Sequence, residues 1–243
     1  MTAGERPAFY AFAPGGWRDY VTLLHLPYTL WHLSYVAIGA ALAPELPVRR
    51  LLWTLLAFAL ALGVGAHALD ELRGRPLRTA IPGRLLWVLA AISIAGAAAI
   101  GVAAALAWTL WLLPMVAFGA LIVVAYNLEL VGGRFHTDLW FALAWGAFPV
   151  LTAYLAAAER LEAEALLAAG FAALLSHAQR CLSTPVRDAR RRLRSLSGEL
   201  VWEDGRSEPL TRATLVAAPE AALRALTGAV VVLAAALLVL RLA

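Results

Sequence analysis

Apolar stretches long enough to cross a lipid bilayer recur along the whole chain, and they constrain its fold more than any other feature. A hydrocarbon core about 30 Å thick is crossed by about 20 residues of α-helix. From Arg84 to Asn127 the chain is almost uncharged, and that length of helix, at about 1.5 Å per residue, would cross the core twice. We therefore predict a tight helical hairpin there, with its turn near residues 105–108.

The composition agrees with a polytopic membrane protein. Hydrophobic residues make up 62% of the 243-residue chain, whereas ordinary soluble domains contain about 45–50%. Uninterrupted apolar runs favour helices over the alternating strands of a membrane barrel, and a lone cysteine, Cys181, excludes an internal disulfide framework. We predict one all-α membrane domain, residues 1–243, with an N-terminal segment 1–19, a polar loop 183–212 and about seven transmembrane helices. The predicted spans are residues 20–43, 51–68, 85–105, 108–126, 138–157, 165–181 and 220–242.

Arginine provides every basic side chain apart from the histidines, because the chain has no lysine. With seven spans, sixteen of the twenty arginines lie in or next to the N-terminal segment and the second, fourth and sixth connections. Basic residues are enriched on the cytoplasmic side of membrane proteins. We therefore predict a cytoplasmic N-terminus, cytoplasmic polar loops and an outer C-terminus. The same reasoning predicts contacts with membrane lipids and none with nucleic acid.

Three polar segments interrupt the apolar runs on the predicted cytoplasmic side, around residues 67–82, 126–138 and 177–188. In the first, His67 lies three residues before Asp70 and four before Glu71. The three side chains therefore share one helix face if the second span continues through them. Carboxylates bind hard cations such as Mg²⁺, and arginines bind phosphate through paired N–H donors. Acids, arginines and a wide apolar bundle together favour a lipid with a diphosphate head.

Simpler interpretations remain open for several of these residues. The arginines after the sixth span could anchor it to anionic lipid headgroups, and the charges of the first polar segment could form a solvated network at a helix end. Asp138 could cap the fifth span. His25 and His32, seven residues apart, could be packed in the core or line a cavity. A transition-metal site on this side would use three histidines: His67, His136 and His177.

Several stretches of the chain resemble the UbiA-type intramembrane prenyltransferases, and together they cover roughly residues 20–190. The similar stretches are residues 26–31 and 39–42, which resemble the first helix of that family; 67–71 and 79–82, which resemble its first aspartate-rich motif; 126–130 with 138, which resemble the connection between its fourth and fifth helices; and 183–188, which lie where its second aspartate-rich motif is expected.

The resemblance implies a UbiA-like helix bundle that binds Mg²⁺ and the diphosphate of an isoprenoid lipid substrate. Such an enzyme transfers the prenyl group to an acceptor or cyclises it. The implied Mg²⁺ ligands are Asp70, Glu71 and Asp138, and these three with Tyr126 form the implied catalytic set. The side chains implied to bind the diphosphate are His67, Arg73, Arg75, Arg78, Asn127, Arg134, Arg180 and Arg187.

The chain departs from the family pattern at the second motif, because no acid lies between Ser176 and Arg187. Two functional hypotheses follow. In the first, the protein is an isoprenoid-diphosphate enzyme in which arginines supply charge that the missing acids would have recruited through metal. In the second, it is a non-catalytic relative that binds a lipid or a partner protein through its basic face.

Overall fold

A computed structural model describes residues 6–243, so the first five residues of the predicted N-terminal segment lie outside the described residues. The described chain is mostly helical, with one small β-hairpin. The elements are α1 (Trp17–Leu23), α2 (Leu26–Leu42), α3 (Val48–Leu72), α4 (Gly83–Ala107), α5 (Leu112–Asn127), the short turn α6 (Leu130–Gly133), α7 (Asp138–Ala158), α8 (Ala163–Arg191), β1 (Glu199–Val201), β2 (Ser207–Pro209) and α9 (Arg212–Leu242).

Five of the described helices are long and apolar enough to cross a membrane, which supports an integral membrane protein. They are α3, α4, α7, α8 and α9. The predicted first and fourth spans correspond to α2 and α5, which have 17 and 16 residues. Much of α4 and α9 is exposed apolar surface, including Ile92, Leu106 and Leu240. Such surface is expected where lipid replaces water as the solvent.

The structure differs from the predicted boundaries most clearly at the first and sixth spans, and α9 also begins at Arg212 rather than at residue 220. The predicted first span is divided at His25, whose left-handed backbone (φ 45°) separates α1 from α2. The sixth span continues to Arg191 through Pro185, so the predicted loop 183–212 is about one-third helix. Helix α8 extends because Val186 and Ala189 pack against Val216 of α9, so its apolar face continues beyond the membrane-length segment. The rest of the loop contains the antiparallel β1–β2 hairpin.

Arginines join the helix ends opposite the three polar segments. Arg50 donates to the carbonyl of Ala156 (3.1 Å) and to the carboxylate of Glu159 (2.7 Å), near the end of α7. Arg241, at the end of α9, donates to the carbonyls of Ala43 (3.0 Å) and Pro44 (2.6 Å) after α2. These bonds satisfy carbonyl groups that have no partner at a helix C-terminus. They also show that the connections after α2 and α7 lie at the same end of the bundle.

At two glycines the helix backbones are in direct contact, and these contacts join α2 to α7 and α7 to α8. A Cβ atom at Gly39 would lie 2.3 Å from the carbonyl oxygen of Val150, and one at Gly146 would lie 2.5 Å from that of Ala172. Only glycine permits these backbones to approach so closely, as is common between helices in membranes. The contact between Gly39 and Val150 holds α2 against α7, and it thereby fixes the position of the residues at the polar end of α2.

Candidate functional site

A cavity of about 640 Å³ opens at the polar end of the bundle, between the N-terminal segment and helices α2, α3, α5, α7 and α8. The three polar segments therefore meet in space, as the sequence predicts. Eight of the twelve predicted site residues line this cavity: His67, Asp70, Arg73, Tyr126, Asn127, Asp138, Arg180 and Arg187. Helix α3 continues past the predicted end at residue 68 and runs through both His67 and Asp70, so these two side chains share the cavity face, whereas Glu71 does not.

Four predicted site residues do not line the cavity: Glu71, Arg75, Arg78 and Arg134. Glu71 is completely buried, and both of its oxygens accept hydrogen bonds from the loop that follows α3. Its Oε2 accepts from the Leu77 amide (2.9 Å), and its Oε1 accepts from the amide (2.8 Å) and hydroxyl (2.9 Å) of Thr79. Arg75 braces the same loop by donating to the carbonyls of Thr79 and Ile81. Glu71 and Arg75 therefore hold the loop after α3 in place and do not face the cavity.

Asp70 has the opposite environment from its neighbour Glu71. Its side chain faces the cavity, and among residues 6–243 no ion pair or side-chain hydrogen bond includes it. The positive charges of Arg187 and Arg191 act on its carboxylate without forming an ion pair. Successive residues of a helix point about 100° apart, so two adjacent acids reach two different surroundings. Asp70 is the predicted acid that remains available to a ligand.

The basic side chains of the cavity come mainly from α8. Arg180 pairs with Asp138 (2.9 Å), and its guanidinium lies 5.5 Å from the centre of the Phe141 ring. Arg187 donates to the hydroxyl of Thr184 (3.0 Å). Arg191 donates to the backbone carbonyl of Pro7 (3.3 Å). Among the described residues, neither Arg187 nor Arg191 has a carboxylate partner.

Two further predicted site residues, Arg73 and Asp138, are each held in an ion pair. Arg73 pairs with Glu129 (2.9 Å), and this hydrogen bond lowers the pKa of the Glu129 carboxyl. The pair is half exposed, and such surface pairs contribute about 0–1 kcal/mol. Thr137, rather than Asp138, caps α7, because its hydroxyl accepts from the amide of Trp140 (3.3 Å). Asp138 follows in the first turn and is held by Arg180.

Histidines and a tyrosine form the wall next to Asp70. The rings of His25 and His67 stack with their centres 4.0 Å apart. Nδ1 of His67 lies 3.1 Å from the carbonyl of Gly63, so this nitrogen carries the proton and donates it. The Tyr10 hydroxyl lies 2.9 Å from His25 Nδ1, and burial raises the pKa of Tyr10 well above its usual value. His32 also lines the cavity, and both histidines are buried in the bundle, so the two interpretations of them hold together.

Tyr10 and Arg191 also line the cavity, although neither is among the predicted site residues. Tyr10 lies in the N-terminal segment, to which the hydropathy pattern assigned no helix. The neighbouring residues Pro7 and Phe9 also line the cavity, and their apolar side chains were the available signal that this segment packs against the bundle. Arg191 belongs to a group of arginines interpreted as lipid anchors. Only the continuation of α8 past residue 181 places it on the same helix face as Arg187.

Aromatic rings line the inner wall of the cavity. The ring of Tyr126 lies 4.4 Å from those of His136 and Trp145, measured between centres. Phe141 stacks on Trp145 at 5.7 Å, with the ring planes 8° apart. Aromatic faces attract cations. The cavity therefore has a basic rim on α8 and an electron-rich floor.

A second, apolar cavity of about 100 Å³ lies deeper in the bundle. Leu62, Val123 and Phe148 line it, and each lies about one helical turn from a residue that lines the polar cavity. The pairs along α3, α5 and α7 are Leu62 with Ala66, Val123 with Tyr126, and Phe148 with Trp145. The apolar cavity continues to Trp108 at the opposite end. The two cavities thus lie along the same three helices, the polar cavity at the polar end of the bundle and the apolar cavity towards the opposite end.

The predicted Mg²⁺ ligands Asp70, Glu71 and Asp138 are not gathered around one point. Glu71 faces the loop after α3, and Asp138 is bound by Arg180. Within residues 6–243, no group of three or more histidine, cysteine or acidic side chains is placed to hold a metal ion. The same finding applies to the three histidines considered for a transition metal, of which His177 lies outside the polar cavity.

No protein-family model, no curated protein and no solved structure matches this chain.

Proposed function

We propose that this protein is a membrane-embedded, UbiA-like enzyme that acts on an isoprenoid diphosphate and transfers the prenyl group to a small or lipid acceptor. The observation that carries the proposal is the pair Arg187 and Arg191, which face Asp70 across a cavity and have no carboxylate partner among the described residues. Arginine forks bind phosphate oxygens. The deeper apolar cavity supplies surface suited to an isoprenoid chain.

The chemistry breaks the bond between the allylic carbon and the diphosphate oxygen, and the diphosphate leaves with the electron pair. Arginine side chains stabilise the negative charge that develops on the leaving group. The allylic cation lies over the faces of Tyr126, Phe141 and Trp145. A nucleophilic acceptor then forms the new bond to the allylic carbon and loses a proton, which Asp70 accepts.

The proposal includes the finer topology that the sequence predicts. Together with the five long helices, α2 and α5 make seven crossings, and the N-terminal segment and the polar connections then lie on one side. Sixteen of the twenty arginines lie on or next to that side, and four lie on the other. By the positive-inside rule, the polar cavity opens to the cytoplasm and the C-terminus lies outside.

A non-catalytic relative that binds a diphosphate lipid is the second candidate. The scattered acids favour it, because no group of three metal-ligating side chains forms among residues 6–243. This candidate shares the cavity and the arginines with the first, and differs in releasing no product. A cyclase is the third alternative, and the identity of the product distinguishes it from a transferase.

A product assay tests the proposal. Membranes containing the protein, and matched membranes without it, are incubated with radiolabelled geranyl, farnesyl and geranylgeranyl diphosphate, with Mg²⁺ or with EDTA. We expect a new labelled lipid and stoichiometric release of inorganic diphosphate with at least one donor. Identical products in both membranes for every donor would contradict an enzyme. A labelled hydrocarbon of unchanged carbon number would indicate the cyclase.

A further inference from the structure

Three arginines of α8 lie on one face of the helix, towards the polar cavity. Arg180 and Arg187 are seven residues apart, and Arg187 and Arg191 are four apart. These spacings correspond to about two turns and one turn of α-helix. Along the axis, Arg187 and Arg191 are separated by about 6 Å, which places both guanidinium groups within reach of one small anion. All three arginines line the cavity.

The positive charge on this face is only partly neutralised. Arg180 has Asp138 as a partner, whereas the hydrogen bonds of Arg187 and Arg191 go to a neutral hydroxyl and a neutral carbonyl. Desolvation of the Arg187 guanidinium and the charges of Arg180 and Arg191 all act against its positive charge, whereas Asp70 acts in its favour. Like charges held together in a partly enclosed site are costly unless an anion balances them.

Arg190, on the same helix, has a structural role and a different environment, because it is buried and paired with a carboxylate. Arg190, adjacent to Arg191, points towards α9 and donates from Nη2 to Glu220 at 2.9 Å. Both side chains of this pair are less than a tenth exposed. Buried charges in proteins are usually paired in this way. Arg190 faces a carboxylate, whereas Arg187 and Arg191 face the cavity.

We propose that Arg187 and Arg191, together with Arg180, form an anion subsite that binds a diphosphate group directly, with no metal ion between the arginines and the phosphate oxygens. The identity of the ligand rests on the proposed function, but the subsite itself rests on the placement of the arginines. The acids agree with direct binding, because the three carboxylates predicted to hold Mg²⁺ are dispersed: Glu71 accepts from the loop after α3, and Asp138 pairs with Arg180. The binding anion replaces the Pro7 carbonyl on Arg191.

Titration calorimetry of the purified full-length protein in detergent tests the subsite, with inorganic pyrophosphate as the probe. We expect binding in EDTA with an affinity that changes less than twofold when Mg²⁺ replaces EDTA at matched free pyrophosphate. Arg187→Gln and Arg191→Gln should each weaken binding about tenfold or more, because a hydrogen bond to a charged group contributes about 1.5–3 kcal/mol. Arg194→Gln, an exposed arginine outside the cavity, is the matched control and should bind like the wild type.

Thermal unfolding of each variant establishes that it is folded, and Arg187→Lys adds a variant that keeps the charge but lacks the fork. Binding that appears only with Mg²⁺, binding that survives both glutamine variants, or no binding would each overturn the subsite. Displacement of pyrophosphate by farnesyl diphosphate but not by phosphatidylglycerol assigns the subsite to a diphosphate rather than to a phospholipid headgroup. Metal-independent binding without any product would support the subsite and contradict the enzyme, so the two proposals fail separately.

Discussion

Replacing Asp70 with asparagine is expected to abolish turnover of an isoprenoid diphosphate while leaving the protein folded. The carboxylate faces the cavity and has no side-chain hydrogen bond or ion pair among the described residues. Its removal therefore breaks no contact that holds the fold, and the apparent melting temperature in detergent should stay within about 2 °C of the wild type. Loss of a proton acceptor typically costs about 10²–10⁴-fold in rate. The product assay measures that loss.

Glu203→Gln is the matched control for this variant, because Glu203 is an exposed acid outside the cavity. It should turn over substrate at the wild-type rate. If Asp70→Asn were fully active, Asp70 would have no role in the chemistry, and the site assignment would be wrong. A large fall in melting temperature for Asp70→Asn would instead show that the carboxylate has a structural role.

Replacing Glu71 with alanine is expected to have the opposite result, a large loss of stability. Both oxygens of the buried carboxylate accept bonds from the loop after α3, and the substitution leaves the Leu77 and Thr79 amides without partners. Removing a charged acceptor from buried donors costs about 3 kcal/mol or more. The apparent melting temperature in detergent should fall by many degrees, and amide exchange should rise in residues 73–82.

Asp19, in α1, provides a comparison because it also accepts a hydrogen bond from this loop. Its two oxygens accept from the amides of Gly15 (3.0 Å) and Ala80 (2.9 Å), so it joins the N-terminal segment to the loop that Glu71 holds. Glu71→Gln tests the explanation further, because an amide offers only one acceptor oxygen to donors that occupy two. If Glu71→Ala kept both the wild-type melting temperature and the wild-type exchange rates, the structural role of Glu71 would be contradicted.

The contrast between Asp70 and Glu71 shows which part of the site the sequence could predict. The pattern of apolar runs placed the polar segments at one end of a helix bundle, and eight predicted residues do line one cavity there. The choice between two adjacent acids depended on the path of residues 73–82, which turn back onto Glu71. That path is set by long-range packing and by positive φ angles at Arg75 and Arg78, which no residue-type preference indicates.

The extent of α8 was the other feature that sequence reasoning could not give. Hydropathy ends the predicted span near Cys181, because the following residues are polar and include Pro185. The helix nevertheless continues to Arg191, since its inner face packs against Val216 and pairs Arg190 with Glu220. Proline interrupts only one hydrogen bond and is tolerated where tertiary contacts compensate. This continuation is what brings Arg191 to the cavity.

Photoaffinity labelling tests the central claim most directly, namely that an isoprenoid diphosphate occupies the polar cavity with its chain directed towards the apolar one. A farnesyl diphosphate analogue with a small diazirine at the chain end is irradiated with the protein, and the labelled peptides are identified by mass spectrometry. We predict labelling of residues that line the apolar cavity, such as Met115, Val123 and Phe148, competed by farnesyl diphosphate and lost in Arg187→Gln. Labelling confined to the lipid-exposed surface of α9, unaffected by competitor or variant, would contradict the account.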